Sequence, residues 1–145
     1  MAGVSAPTKD DYIALAGFRR ALRTYLRFVE HTARGAGVTP QQHQALLAIG
    51  GHPERDWASA SEICDALQIG HNAVVSLIDR CQAAGLVARE PDETDRRVVR
   101  ISLTEKGRKL LDEVTTANLA ELRATDALTQ RLWELTNARL EDQIQ

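Results

Sequence analysis

The side chains of this sequence that are best suited to recognising another molecule fall in two short stretches. One is Asp95-Arg96-Arg97, whose guanidiniums stay charged at neutral pH and can bind phosphate or enter a narrow, electronegative groove of a duplex. Phosphate would repel Asp95, so we expect its carboxylate to orient a neighbouring arginine. The other stretch offers imidazole, amide, methyl, hydroxyl and guanidinium groups that can contact base edges: His71, Asn72, Ala73, Val75, Ser76 and Arg80.

Polar side chains on a surface are often merely solvated, so these residues carry a function only if the fold presents them together. Residues 71–84 have apolar side chains at spacings of three and four, which predicts a helix with the candidate residues on its outward face. A shorter helix precedes it, beginning at the capping box Ser59-Ala60-Ser61-Glu62 after a polar loop over residues 54–57. Two helices joined by so tight a turn predict a helix-turn-helix, whose second helix reads the major groove of DNA.

After Gly85 the apolar pattern changes from the period of a helix to that of a strand. Residues 86–89 predict one strand and the alternating residues 99–103 a second, so Asp95 and its arginines occupy the tip of a hairpin. We count Arg89, at the end of the first strand, among the residues that face DNA. The expected fold class is mainly α with a small β-hairpin wing (α+β), a winged helix-turn-helix.

Two amphipathic helices are predicted before this unit. Residues 10–34 form a long one, and Thr39-Pro40-Gln41-Gln42 opens a second with a capping box and proline at the first helical position. In that second helix, His43, Leu46 and Leu47 are predicted to face inward.

Two more helices are predicted after Thr104, which can cap the first of them. The predicted organisation is one compact protomer with N-terminal helices for dimerisation and support over 1–57, a DNA-binding region over 58–103 and C-terminal dimerisation helices over 104–145. The apolar stripes of the outer helices would be largely exposed in a monomer, so we expect a two-fold homodimer. Its two recognition helices would lie about one turn of DNA apart, roughly 34 Å.

The charge of the chain is nearly balanced overall but uneven along its length. With 18 Lys and Arg against 20 Asp and Glu in 145 residues, a net charge of -2, it lacks the strongly basic character of a protein that coats nucleic acid indiscriminately. Residues 96–109 nevertheless hold six basic side chains against one acidic one, whereas residues 110–145 hold seven acidic against three basic. This distribution predicts selective binding through a local basic wing.

Several classes of protein do not fit this sequence. Its apolar runs fall far short of the roughly 20 residues that span a bilayer, and no signal sequence is visible, so we expect a cytoplasmic protein with no membrane partner. Cys64 and Cys81 cannot build a disulfide framework and are expected to be structural thiols. We find no nucleophile with a base, no glycine-rich phosphate loop and no metal-ligand spacing, so we expect no enzyme activity, no cofactor and no metal site.

The sequence resembles the MarR (multiple antibiotic resistance regulator) family. The resemblance covers nearly the whole chain and rests on Ser61-Glu62-Ile63 to Leu67, Val74 to Arg80, Ala84-Gly85-Leu86-Val87 and, above all, Asp95-Arg96-Arg97 followed by Leu103-Thr104-Glu105-Lys106-Gly107. It implies an obligate homodimer that binds a pseudo-palindromic operator, usually as a repressor that a small anionic, often aromatic, ligand releases.

The chain departs from the family pattern at the start of the recognition helix. Many members have a Ser or Thr cap there, where this chain has Gly70-His71-Asn72-Ala73, and Ser76 stands where a longer polar or basic residue is common. The mode of DNA binding therefore carries over, but the operator sequence does not.

An effector of this kind needs contacts, and three residues are candidates. Arg19 lies among the leucines of the first helix's apolar stripe and needs a partner, either a carboxylate of this or a second subunit or the carboxylate of an effector. Arg23 flanks the same stripe. His43 also lies on an apolar face, where a hydrogen-bonded core histidine and a ligand contact are both open.

A second function remains open from sequence alone. Winged domains also serve as protein-binding adaptors, because a fold does not determine a function. An adaptor would have a stable protein partner and no affinity for DNA.

Overall fold

The computed structural model describes residues 5–141, apart from the side chains of 127, 128 and 136–141. No helix in this part of the chain is long and apolar enough to cross a membrane. In chain order the elements are α1 (Lys9–Gly35), α2 (Pro40–Gly50), β1 (Trp57–Ala58), α3 (Ala60–Leu67), α4 (His71–Ala83), β2 (Val87–Pro91), β3 (Val99–Leu103), α5 (Glu105–Ala124) and α6 (Asp126–Glu141). They confirm the predicted class of mainly helical protein with a small wing.

Helices α2 and α3 begin at the predicted capping boxes. The Thr39 hydroxyl accepts a hydrogen bond from the Gln42 N–H at 3.1 Å, and the Gln42 side chain accepts one from the Thr39 N–H at 2.9 Å. Ser59 and Glu62 form the same reciprocal pair at α3. Each box satisfies two backbone groups that a helix start leaves unpaired, so these residues determine where both helices begin.

The sheet has three antiparallel strands in the order β1-β3-β2. β2 and β3 form the predicted hairpin, with Val87 opposite Leu103. The prediction of a loop through residue 57 is wrong at its end, because Trp57 and Ala58 pair with β3. A strand of two residues is too short to show an alternating pattern, so it is visible only through this pairing.

The chain forms two compact units, one of Met1–Val29 with Ala117–Gln145 and one of Glu30–Thr116. The second unit holds the helix-turn-helix, the sheet and the hydrophobic core. The three-segment division at 57/58 and 103/104 stays a prediction. Residues 1–4 of its first segment and residues 142–145 of its last lie outside the described residues. In the core, α4 buries the four residues predicted to face inward: Val74, Leu77, Ile78 and Cys81.

The buried side of α2 differs from the prediction at one position. His43 and Leu46 are buried as predicted, but Leu47 is 47% exposed, and Ile49 is buried instead. Successive residues of a helix are rotated by about 100°, so a stripe centred on Leu46 and Ile49 leaves Leu47 to one side.

In the other unit, the apolar stripe on the first part of α1 is only partly covered in the single chain. Its half-buried members are Phe18, Leu22 and Tyr25. Leu15 is 52% and Leu26 is 47% exposed, and Tyr12 and Ile13 beside them are exposed as well. This exposure is what the sequence predicts for a helix that packs against a second copy.

A close approach at the start of α5 holds this helix against the segment before β2. Thr104 caps the helix by accepting from the Gly107 N–H at 3.0 Å, and its hydroxyl donates to the Gly85 carbonyl at 2.6 Å. A Cβ on Gly107 would lie 2.0 Å from the carbonyl oxygen of Leu86. Only glycine fits there, which gives the glycine of the family signature a packing reason.

We expect Gly107→Ala to lower the free energy of unfolding by about 3 kcal/mol, because the added methyl group overlaps backbone that cannot move away freely. Gly35→Ala is the control, since nothing lies within 4 Å of its added Cβ, and we expect a change below about 0.5 kcal/mol. Urea unfolding followed by circular dichroism measures both variants. Equal stabilities would contradict the close approach.

Candidate nucleic-acid interface

The outward face of α4 presents its candidate residues to solvent, while the opposite face is buried. Gly70 precedes the helix and makes no side-chain cap, so the first N–H groups of α4 are not occupied by a capping side chain. Nη1 of Arg80 donates to the Ser76 hydroxyl at 3.2 Å, which sets these two polar groups side by side. The exposed candidates are His71, Asn72, Ala73, Val75, Ser76 and Arg80.

The turn of the wing is organised by Asp92, which the sequence analysis did not single out. Its Oδ2 accepts from the Asp95 N–H at 2.9 Å and from the N–H and hydroxyl of Thr94, and its Oδ1 accepts from Nε of Arg100 at 2.6 Å. These donors, the Asp95 N–H first, hold the pKa of the buried Asp92 carboxyl well below its usual range. An aspartate two residues before a threonine in a turn is the only signal that could have indicated it.

At the tip, Asp95 holds Arg97 as predicted. Asp95 Oδ1 accepts from Nε of Arg97 at 3.1 Å and Oδ2 accepts from its Nη2 at 3.2 Å, while the Arg97 side chain stays 90% exposed. The Arg97 side chain, followed by its N–H, lowers the pKa of Asp95. Arg96 is exposed, and within the described part of the chain it has no ion-pair partner.

Arg89, predicted to face DNA, is bound to α4. Its Nη2 donates to Asp79 Oδ1 at 2.7 Å and to the Val75 carbonyl at 3.5 Å, and its Nη1 donates to Gln82. With 27% of its side chain exposed, Arg89 connects the wing to the recognition helix, and a contact with DNA stays a prediction.

A cleft of about 590 Å³ separates the start of α4 from the wing. His71 and Val75 line it on the helix side, Arg97 lines it on the wing side, and Ser61 and Trp57 also line it. The fold therefore brings both predicted stretches to one concave surface.

A second carboxylate, Glu62, binds the loop before β1 to the start of α3. Its oxygens accept from Nη2 of Arg55 at 2.5 and 2.6 Å, and Oε2 lies 2.6 Å from Nε2 of His52. The Glu54 N–H donates to Nδ1 of His52, which favours the tautomer with the proton on Nε2. Partial burial of Glu62 opposes its ionisation, but hydrogen bonds from Arg55, Ser59 and His52 outweigh it and lower its pKa to about 2.

The three effector candidates lie in different units. Arg19 and Arg23 are exposed on the first part of α1, in one unit, and His43 belongs to the other. His43 is 2% exposed, and neither ring nitrogen has a hydrogen-bond partner among the described residues, so it is a core histidine but not a hydrogen-bonded one. Burial lowers its pKa, which favours the neutral ring.

The two cysteines are free thiols, Cys81 buried and Cys64 partly buried. Burial raises the pKa of Cys81 to about 11, so this thiol is a poor nucleophile at neutral pH. Among the residues whose side chains are described, no group of three or more His, Cys, Asp and Glu is placed to hold a metal ion.

Known proteins similar to this chain are transcriptional regulators. The model of the MarR family matches residues 36–98. YsmB of Bacillus subtilis, an uncharacterised HTH-type transcriptional regulator, is 39% identical over 116 residues, 75% of each chain. MdtR, an HTH-type transcriptional repressor of the same species, is 35% identical over 78 residues, which cover 54% of this chain and 48% of that protein.

A solved structure supports the same fold. It is that of Bordetella bronchiseptica BpsR, whose DNA binding is regulated by 6-hydroxynicotinic acid; it has a TM-score of 0.63 at 22% identity and covers 94% of this chain and 97% of that one. The chain spans only 34–58% of the length of the first four curated relatives that it matches.

The fold, with an exposed recognition helix beside an arginine-tipped hairpin, defines a winged helix-turn-helix protein. Within that class the chain belongs to the MarR family, as its wing signature predicts. The names of its curated relatives favour the DNA-binding interpretation over the protein adaptor.

The depressed pKa of Glu62 predicts a pH dependence of stability. The unfolded carboxyl, with a pKa near 4.5, takes up a proton before the folded one at about 2, so this contribution is present above about pH 4.5 and is lost as the pH falls towards 2. We expect Glu62→Gln, which keeps the capping box, to lower the free energy of unfolding by about 1 kcal/mol at neutral pH, because the partly exposed pair is screened by solvent. That deficit should shrink in acid.

Urea unfolding at several pH values measures this difference. Glu54→Gln is the control, since it removes an exposed carboxylate from the same loop without touching Glu62. A Glu62→Gln deficit that is constant with pH would contradict the assigned pKa.

Proposed function

We propose that this chain is a sequence-specific DNA-binding transcriptional regulator, a ligand-responsive homodimeric repressor of a pseudo-palindromic operator. Helix α4 enters the major groove, and the wing, residues 87–102, contacts the minor groove and backbone. The observation that carries the proposal is the exposed polar face of α4 across one cleft from an arginine that Asp95 holds outward.

The cleft has a direct role in this arrangement. In a duplex, one sugar-phosphate strand separates the major groove from the adjacent minor groove. If α4 and the wing enter adjacent grooves, that strand passes through the cleft, where His71 and Ser61 can donate hydrogen bonds to phosphate.

The base contacts come from the N-terminal part of the exposed face of α4. Asn72 can bond adenine in a bidentate manner, and the methyl groups of Ala73 and Val75 suit thymine. At the wing, Arg97 enters the minor groove and Arg96 binds phosphate, because Asp95 holds Arg97 in one orientation and leaves Arg96 free to move.

The homodimer supplies the second half-site. The exposed leucines of α1 support it, because a monomer would leave this stripe in water. Two-fold symmetry then places two α4 helices on successive turns of the same face of DNA.

The effector belongs to the same proposal and is a small anionic or aromatic molecule. BpsR, whose DNA binding responds to 6-hydroxynicotinic acid, supports this class, and Arg19, Arg23 and His43 are its candidate contacts. The repressor works in the cytoplasm, where its DNA would lie, and has no catalytic step, cofactor or metal.

The proposal is tested by selecting duplexes from a random library with the wild-type protein and footprinting the DNA that flanks its own gene. A two-fold symmetric protected site, released by members of a panel of aromatic carboxylates, is the expected result. Failure of the folded dimer to retain any duplex at moderate salt would overturn the DNA-binding assignment.

Two variants separate positioning contacts from sequence contacts. We expect Arg97→Ala to weaken binding about tenfold on every duplex and to reduce the slope of log K against log salt by about 1. Asn72→Ala should weaken binding to the selected site by a similar factor but leave binding to unrelated duplexes unchanged, because it removes a base contact. Fluorescence anisotropy at several salt concentrations measures both.

Arg34→Ala, which removes an exposed arginine of α1, is the charge control and should bind like the wild type. The assigned geometry would be wrong if Arg97→Ala and Asn72→Ala also bound like the wild type.

The dimer is tested through two leucines of equal exposure. We expect Leu26→Asp to shift the protein towards monomer, because a carboxylate would be buried in the interface. Leu47→Asp on α2, also at a leucine that is 47% exposed, should leave the dimer intact. Sedimentation equilibrium measures the fraction of dimer for both variants. If the Leu26→Asp variant stays fully dimeric, α1 does not form the dimer interface.

A further inference from the structure

The indole of Trp57 contacts two guanidiniums, one from the loop before β1 and one from β3. Arg55 lies 3.6 Å from the ring centroid and Arg100 lies 4.7 Å from it, both within the range of cation–π attraction. Nε of Arg55 is buried without a hydrogen-bond partner among the described residues, as expected for a guanidinium that stacks on a ring. We call Trp57, Arg55 and Arg100 the tryptophan clamp.

On one side, the clamp is attached to the helix-turn-helix. Both Glu62 oxygens accept from Arg55, and Glu62 is the residue that closes the capping box with Ser59. The guanidinium of Arg55 is therefore held by the first turn of α3, so the Trp57 ring is positioned relative to the helix that packs against α4.

On the other side, the clamp is attached to the wing. Nε of Arg100 donates to Asp92 Oδ1 at 2.6 Å, and the same carboxylate accepts from the Asp95 N–H. Asp95 in turn holds Arg97. A continuous chain of contacts thus runs from the capping box of α3 to the guanidinium at the tip of the wing.

Arg89, which lies opposite Ile101 in the hairpin, ties the inner half of the wing to α4 through Asp79. Beyond the contacts of Arg89, the described residues of the wing make no other ion pair or side-chain hydrogen bond to the helices. Burial fades along β3, from Ile101 at 2% exposed to Val99 at 43% exposed. Arg97 lies in the turn beyond the outer end of β3, so a small tilt at the base of the wing would displace its guanidinium relative to α4. Hydrophobic packing and the Arg89 contacts hold the base of the wing, and they leave the tip itself poorly fixed relative to α4.

We propose that the tryptophan clamp is a positioning device that holds the wing at the distance from α4 at which both can enter adjacent grooves of one duplex. Trp57, Arg55 and Arg100 act through Arg97 and need not touch DNA. The inference rests on the proposed DNA-binding function and adds the residues that make helix and wing bind as one unit.

The test is a pair of double-mutant cycles on the duplex selected by the wild-type protein. We expect Trp57→Leu to weaken binding about tenfold, since the loss of the clamp removes most of what the wing contributes. In the Trp57→Leu background, Arg97→Ala should then lower the affinity for the duplex less than about twofold, instead of about tenfold. Asn72→Ala should lower the affinity by the same factor in the wild-type and Trp57→Leu backgrounds, because the base contacts of α4 do not depend on the wing.

Two conservative variants distinguish positioning from general stability. Trp57→Phe keeps an aromatic ring beside the guanidiniums and should restore most of the binding and the full effect of Arg97→Ala. Arg55→Lys keeps the charge beside Glu62 but loses the planar stack, so it should behave like Trp57→Leu and serves in its place if that variant does not fold. Urea unfolding and sedimentation confirm that each variant is folded and has the oligomeric state of the wild type.

Each outcome is decisive. The positioning role is wrong if the effects of Trp57→Leu and Arg97→Ala on the binding free energy are additive. It is also wrong if Trp57→Leu reduces the effect of Asn72→Ala as much as it reduces the effect of Arg97→Ala, because that would indicate a general disturbance of the surface. If the wild-type protein binds no duplex, the proposed function is wrong, and the positioning role is wrong with it. If the wild-type protein binds DNA but the effects of the substitutions are additive, only the positioning role of the tryptophan clamp is wrong.

Discussion

The shape of the recognition surface depends on one buried carboxylate, that of Asp92. A buried charge is stable only when donors replace the water that it has lost, and here the donors come from the turn of the wing and from Arg100. This requirement folds the turn so that Asp95 faces Arg97 at the tip. Because Arg100 also lies over the Trp57 ring, the same carboxylate links the tip of the wing to the residues that contact α3.

The arginines that surround the cleft are paired in advance with carboxylates of the chain. Arg89 binds Asp79, Arg97 binds Asp95 and Arg55 binds Glu62. Such pairs reduce the net attraction for any polyanion but hold the guanidiniums in fixed directions, which favours a partner that matches their spacing. The net charge of -2 is therefore compatible with DNA binding, because this surface depends on geometry more than on excess positive charge.

Local signals in the sequence were sufficient wherever the physics is local. The capping boxes at Thr39 and Ser59 predict two helix starts because both partners lie within three residues. The buried face of α4 follows from helical periodicity, and the Asp95 to Arg97 pair from adjacency. The sequence missed β1, the exposure of Leu47 and the roles of Asp92 and Arg55, since each depends on neighbours that are distant in the chain or on the direction of a buried stripe.

By itself, the sequence determined the helices, the hairpin, the family and the two stretches that could meet DNA, because periodicity, capping and the signature from Asp95 to Gly107 are properties of short segments. Only the tertiary structure decided how those stretches are held together. Arg89 supports α4 from the wing, and Trp57 contacts guanidiniums from the loop before it and from β3. Such contacts arise when β1 pairs with β3 and the hairpin packs beside α4, and no spacing along the chain encodes that approach.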